Sequence, residues 1–199
     1  MYTDDMFQRN IVSCTVVIVF LNVFTCICFA VTVTVNNIGD VVEGSETRIM
    51  CNIVRSSSSS TSVLGVSWYN VTNGASDTIA QYQGGTGFVD PSYIDRFSVE
   101  GDTTLVIANT SRSDSGTYQC SVVIFDDPPS PASDDVTLTV IYLYQPALSS
   151  FITPVMEGDT VEMSCSADAN PSPTYAFLSD DEVQQSGSLS TFRIQSVSP

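Results

Sequence analysis

The sequence predicts an all-β chain folded as a two-sheet sandwich, on three observations. Apolar residues recur at every second position over short stretches. In Thr47-Arg48-Ile49-Met50-Cys51-Asn52-Ile53, the residues Thr47, Ile49, Cys51 and Ile53 share one face, which is predicted to line the interior. Clusters of Gly, Pro, Asp and Ser separate these stretches. Asp114-Ser115-Gly116-Thr117-Tyr118-Gln119-Cys120 has the form D-x-G-x-Y-x-C. A Tyr two residues before a strand Cys points to the same face, so its ring is buried and its hydroxyl must reach a backbone partner.

The elements follow in order. Residues 11–30 are an almost unbroken apolar run with Arg9 just before it and Cys28-Phe29-Ala30 at its end. This reads as a secretory signal peptide over residues 1–30, cleaved after about Ala30. Asp4 and Asp5 are out of character there, and a start at Met6 gives a more ordinary leader. Uncleaved, the run is just long enough to span a bilayer. Either way the body is exported to an oxidising compartment. From Val31 the period becomes two: Val31, Val33 and Val35 alternate with Thr32 and Thr34 as a first strand. Val41-Val42-Glu43-Gly44 turns the chain into the Cys51 strand, and the serine run 56–60 reads as a loop. Leu64, Val66 and Trp68 share the next inward face, opposite Gly65, Ser67 and Tyr69. The long interval from Trp68 to Cys120 holds two extra strands, around 78–82 and 84–88, then strands at 96–99 and 104–107. The strand from Tyr118 ends in Asp126-Asp127-Pro128-Pro129-Ser130-Pro131, which is unsuited to a strand interior. Val136, Leu138 and Val140 line the last strand.

Cys51, Trp68 and D-x-G-x-Y-x-C, in this order, resemble the immunoglobulin superfamily. The resemblance implies an immunoglobulin-like Greek-key sandwich in which Cys51 and Cys120 form an inter-sheet disulfide. It also implies that Trp68 packs on that bridge, that Tyr118 forms the tyrosine corner, and that Arg96 pairs with Asp114. The extra strands point to a variable-type domain over residues 31–142. Ser130-Pro131-Ala132-Ser133-Asp134-Asp135 lacks the glycine-rich bulge of antigen-receptor chains, which argues for a non-rearranging relative.

Beyond a linker at 143–147, residues 148–199 repeat the frame. Glu157-Gly158 through Cys165 keeps the spacing of Glu43-Gly44 through Cys51, and Phe192-x-Ile194 echoes Leu105-x-Ile107. This resembles an intermediate- or C2-type domain with Phe177 where the family usually has Trp. A second D-x-G-x-Y-x-C is missing, so Cys165 has no partner in the body. The reading is a truncated domain, with an intermolecular bridge as the alternative.

Composition narrows the chemistry. The net charge is −16, and there is no His. Nucleic acid and anionic membranes need a basic footprint, so neither is an expected partner. Histidine-based triads cannot be built. Cys26-x-Cys28 is too apolar in context to be a metal pair. Asp126-Asp127, Asp134-Asp135 and Asp180-Asp181-Glu182 match no calcium-loop spacing and read as solvated acids. No cofactor, metal or small-molecule substrate is predicted, and no enzymatic activity. Asn70-Val71-Thr72 and Asn109-Thr110-Ser111 are glycosylation sequons, with Asn109 the better placed; Pro171 blocks Asn170.

The function expected is a secreted or cell-surface recognition or adhesion module whose partners are proteins, homophilic or heterophilic immunoglobulin-like ectodomains. A secreted immune molecule that reads foreign ligands through its tip loops, and a spacer in a multidomain matrix protein, are the alternatives. Strand parity turns Tyr69, Val123 and Phe125 outward, with Tyr82 joining them from the neighbouring strand as a candidate interface.

Overall fold

The computed structural model describes residues 14–19, 23–28, 31–55, 63–125, 127, 129–149, 154–179 and 181–195. The chain divides into two compact units between Thr139 and Val140. Among the described residues there is no α-helix, only two single-turn 3-10 segments, Thr72–Gly74 and Arg112–Asp114. The predicted all-β fold is the fold observed.

Within the apolar N-terminal run, β1 (Cys14–Val19) pairs antiparallel with β2 (Val23–Cys28). The strands of the sandwich are β3 (Thr32–Val35), β4 (Asp40–Val42), β5 (Thr47–Val54), β6 (Val63–Asn70), β7 (Asp77–Gln83), β8 (Thr86–Val89), β9 (Phe97–Glu100), β10 (Thr104–Ile107), β11 (Gly116–Ile124) and β12 (Ala132–Ser149). One sheet has the order β3-β5-β10-β9. The facing sheet of this unit has the order β12-β11-β6-β7-β8, with β4 added along β12. The first strand thus splits between the sheets. At the crossing the Val35 amide donates to Asp134 Oδ2 at 2.8 Å.

Alternation explains the core. Thr47, Ile49 and Cys51 of β5 meet Leu105 and Ile107 of β10, and all are buried. Across the interior lie Val66 and Trp68 of β6 and Tyr118, Cys120 and Val122 of β11. Thr47 is the one polar member of the β5 face. Its hydroxyl is satisfied at 2.7 Å by the buried hydroxyl of Thr110, as burial of a hydroxyl demands. Val106 has outward parity yet is buried. Arg48 and Glu100, on the strands flanking β10, form a bidentate ion pair that reaches across it.

Both extra strands are present. The β7–β8 hairpin closes through two residues, Gly84 and Gly85, with φ of +59° and +85°. Two successive positive φ values are what a tight hairpin matched to strand twist requires, and glycine adopts them without steric cost. The serine run at 56–60 lies outside the described residues, as does the Leu64 side chain.

In the second unit, β12 continues through Ser149, so residues 143–147, read as a linker, are strand. This half of β12 pairs with β13 (Val161–Asn170), and β13 pairs with β16 (Thr191–Ile194). A separate hairpin joins β14 (Tyr175–Ser179) to β15 (Glu182–Gly187). Phe177 of β14 stacks on Phe192 of β16, with ring centroids 5.4 Å apart. Val140, Phe177 and Val161 are its buried apolar side chains among the described residues. Cys165 carries a free, half-buried thiol on β13.

Candidate functional site

The D-x-G-x-Y-x-C stretch builds a rigid corner at one end of the first unit. The Tyr118 hydroxyl donates to the Asp114 carbonyl at 2.8 Å. Burial pushes the Tyr118 phenol well above its ordinary pKa, and the nearby Asp114 carboxylate adds to the shift. The Asp114 carboxylate accepts from Arg96 Nη1 at 2.6 Å and Nη2 at 2.9 Å, and from the Ser111 amide at 2.7 Å. Burial on its own would raise the Asp114 pKa. Hydrogen bonds from Arg96 and Ser111 outweigh it and hold the carboxyl below the usual range. Arg96 also lies 5.4 Å from the centroid of the Phe97 ring.

Gly116 is where the corner meets the 3-10 segment Thr72–Gly74 that follows β6. A Cβ there would lie 2.1 Å from Thr72 Oγ1, so only glycine fits. Thr72 Oγ1 accepts from the Thr117 amide at 3.0 Å and donates to Asn70 Oδ1 at 2.5 Å. This lock is not legible in the sequence, where only the Gly of the motif and the Thr of the first sequon are visible. Asn70 is therefore held in a local turn, whereas Asn109 is exposed.

Cys51 and Cys120 are joined by a disulfide with Cα atoms 6.2 Å apart. Trp68 lies directly opposite Cys120 in register, and its indole donates to the Thr103 carbonyl at 3.3 Å. The corner, the bridge and Trp68 stiffen the sheet whose outer face is the candidate site.

Register lays that face out in rows. Asp135, Gln119, Tyr69 and Thr78 form one row; Ser133, Ser121, Ser67, Gln81 and Phe88 the next; Val123, Gly65, Gln83 and Thr86 the third. Asp135 is the one charged residue in these rows, and its carboxylate accepts from Gln119 Nε2 at 2.8 Å. Val123 is 42% exposed and Phe88 58%. Phe125, 62% exposed, stands just past the end of β11. A shallow depression of about 220 Å³ opens where Gly65 supplies no side chain, bordered by Val123, Ser67, Gln81, Gln83 and Tyr82, whose backbone carbonyl lies beneath Gly65.

Two sequence expectations are corrected by this layout. Tyr82 does not share the parity of the outer face: it lies opposite the buried Val66, and it stands near Asp102 of the β9–β10 turn, which raises its phenol pKa. The periodicity of β7 was ambiguous in the sequence because its register is set by a bulge between Trp68 and Tyr69. Nor do Tyr69 and Val123 form one apolar patch. They are two rows apart, about 14 Å along the strands, with serines between them. The face is neutral and polar at its centre, with apolar side chains at its margins. Of the acidic pairs, Asp127 is buried, whereas Asp126 and Asp180 lie outside the described residues. No cluster of three metal-ligating side chains occurs among the described residues.

The two-sheet topology with inter-sheet disulfide and tyrosine corner defines an immunoglobulin-type sandwich. The chain matches the immunoglobulin V-set domain over residues 39–141, and it belongs to that family. Its fold is similar to solved structures from mouse. A chain of the mouse coronavirus receptor-binding domain complexed with its murine receptor matches at 18% identity and a TM-score of 0.55, covering 84% of this chain and 86% of that one. Murine CEACAM1b matches at 19% and 0.54, covering 84% and 85%. Murine CRIg matches at 19% and 0.46, over 55% of this chain and 97% of its own.

Proposed function

We propose that the chain is a non-enzymatic binding module of the extracellular side, secreted or on the cell surface, and that it acts through protein–protein contact on the outer face of the β12-β11-β6-β7-β8 sheet. One observation carries the reading. In a chain of net charge −16, the rows of this face hold a single charged residue, already hydrogen-bonded to its neighbour. A surface with only one charge and with exposed Val123, Phe88 and Phe125 is the part of such a molecule least costly to desolvate against another protein. The partner is an immunoglobulin-like ectodomain, the same chain or another. A receptor–virus complex and a CEACAM among the fold neighbours are in keeping with such a role. The N-terminal apolar run serves as the export signal, and Asn109 is the preferred glycan acceptor; neither lies in the three rows. Among the described residues no helix is long and apolar enough to cross a membrane.

The test is a pair of variants, Val123→Asp and Phe125→Asp, each shown to be folded by circular dichroism. Both are expected to weaken self-association in sedimentation or binding to partner-bearing cells by tenfold or more. The contact should vary little between about 50 and 300 mM salt, because exposed charges contribute little to it. Unchanged binding by both variants removes this face as the contact surface.

A further inference from the structure

Turning Tyr82 away from the outer face places it in a second feature of the first unit. A cleft of about 580 Å³ opens where the ends of β5 and β6 converge with the β7–β8 turn and the β9–β10 turn. We propose that this cleft binds a neutral saccharide, with Tyr82 as the surface on which a sugar ring stacks and with Asp102 and Arg55 reading its hydroxyls.

The volume lies in the range of small-ligand sites. Ile53 and Val63 form an apolar wall, and the Gly84–Gly85 turn leaves one side free of side chains. Tyr82 presents a ring whose negatively polarised face attracts the C–H edge of a pyranose. Tyr82 and Asp102 both line the cleft, and Gly87, opposite Tyr82 on β8, leaves its ring uncrowded. The neighbouring Thr103 carbonyl accepts from both the Trp68 indole and the Cys51 amide, so the β9–β10 turn that carries Asp102 is fastened to the disulfide core.

Charge selects the ligand class. A carboxylate only accepts hydrogen bonds and a guanidinium only donates them. Asp102 and Arg55 line one cleft and together are neutral. An anionic ligand attracted by Arg55 meets Asp102, and an amine attracted by Asp102 meets Arg55. Adjacent hydroxyls of a neutral sugar donate to one and accept from the other. This site lies apart from Val123 and Phe125, the positions that test the outer-face contact, while Tyr82 borders both features.

The experiment is saturation-transfer NMR on the exported chain with four neutral probes: the methyl glycosides of glucose, galactose, mannose and N-acetylglucosamine. N-acetylneuraminic acid and butylamine are the charged counterparts. At least one neutral glycoside is expected to receive saturation, with a millimolar Kd. Tyr82→Ala and Asp102→Asn are each expected to weaken it about tenfold, the loss of a stacking surface or of a charge-assisted hydrogen bond. Tyr82→Phe should weaken it less, because the ring remains. Native Trp68 fluorescence verifies folding; if Tyr82→Ala fails to fold, Asp102→Asn and Tyr82→Phe decide. The proposal is overturned if no neutral glycoside receives saturation, if only a charged probe does, or if the folded variants bind as well as the parent.

Discussion

At the scale of single residues, the chain concentrates its polar precision around Asp114. The carboxyl is 5% exposed and its pKa is lowered in the fold, so it binds a proton less readily there than in the unfolded chain, where the value is about 3.9. The stabilisation it provides is therefore fully present above about pH 5 and is lost as pH falls through the depressed folded-state value. Asp114→Asn is expected to cost about 1–2 kcal/mol at pH 7, toward the low side because Arg96 retains 38% exposure and water screens the pair. Urea denaturation of parent and variant at pH 7 and at pH 2.5 checks this: the difference between them should shrink at the lower pH. Gly116 makes a sharper case. Gly116→Ala drives a Cβ into Thr72 Oγ1 and strains the hydroxyl that holds both Asn70 and Thr117. A loss of about 2–3 kcal/mol is expected, as for overpacking in a region that cannot relax, and Thr72→Ser/Gly116→Ala should recover little of it, because serine keeps the same oxygen. Thermal or urea unfolding measures both.

At the scale of elements, bulges decide which side chains share a face. Register shifts between Trp68 and Tyr69 on the β6–β7 ladder, and between Val123 and Ile124 on the β11–β6 ladder. The first separates Tyr82 from Tyr69; the second skips Leu64 on β6, so that Ile124 pairs with Val63 while β11 keeps its own alternation of exposed Val123 and buried Ile124. The β7–β8 hairpin depends on its turn. Gly85→Val places a β-branched residue at φ +85° and is expected to cost about 1–2 kcal/mol. Because that turn also borders the cleft, Gly85→Val should weaken glycoside binding in the same NMR assay.

At the scale of the molecule, the two units differ in what holds them. The first has apolar side chains from both sheets packed around a disulfide that closes a 69-residue separation. Reduction is expected to lower its stability by about 2–5 kcal/mol. The second buries Val140, Val161 and Phe177 among its described residues but leaves Leu143, Leu148, Leu178, Val183 and Leu189 exposed. Limited proteolysis followed by mass spectrometry should cut within 148–199 first and leave a resistant fragment from about Val31 to Tyr142. A resistant 148–199 fragment would show that the second unit is stable by itself.

Local pattern in the sequence was enough to determine the all-β class, the interior face of β5 and the strands of the first unit other than β4, whose residues read as a turn, because side-chain direction in a strand alternates strictly and needs no distant partner. The D-x-G-x-Y-x-C stretch was legible for the same reason: Tyr118 and Cys120 are two residues apart and their shared face follows from the pleat. Tertiary structure alone decided the rest. The outer face is a set of rows across five strands, so a one-residue shift at a bulge reassigns every later neighbour, and no single strand records where the shift falls. That is how Tyr82 came to lie against Asp102 rather than beside Tyr69, and why the serines that divide Tyr69 from Val123 were not seen as a row. The role of Gly116 was hidden likewise: the hydroxyl that excludes any side chain there belongs to Thr72, brought close only when β6 and β11 pair.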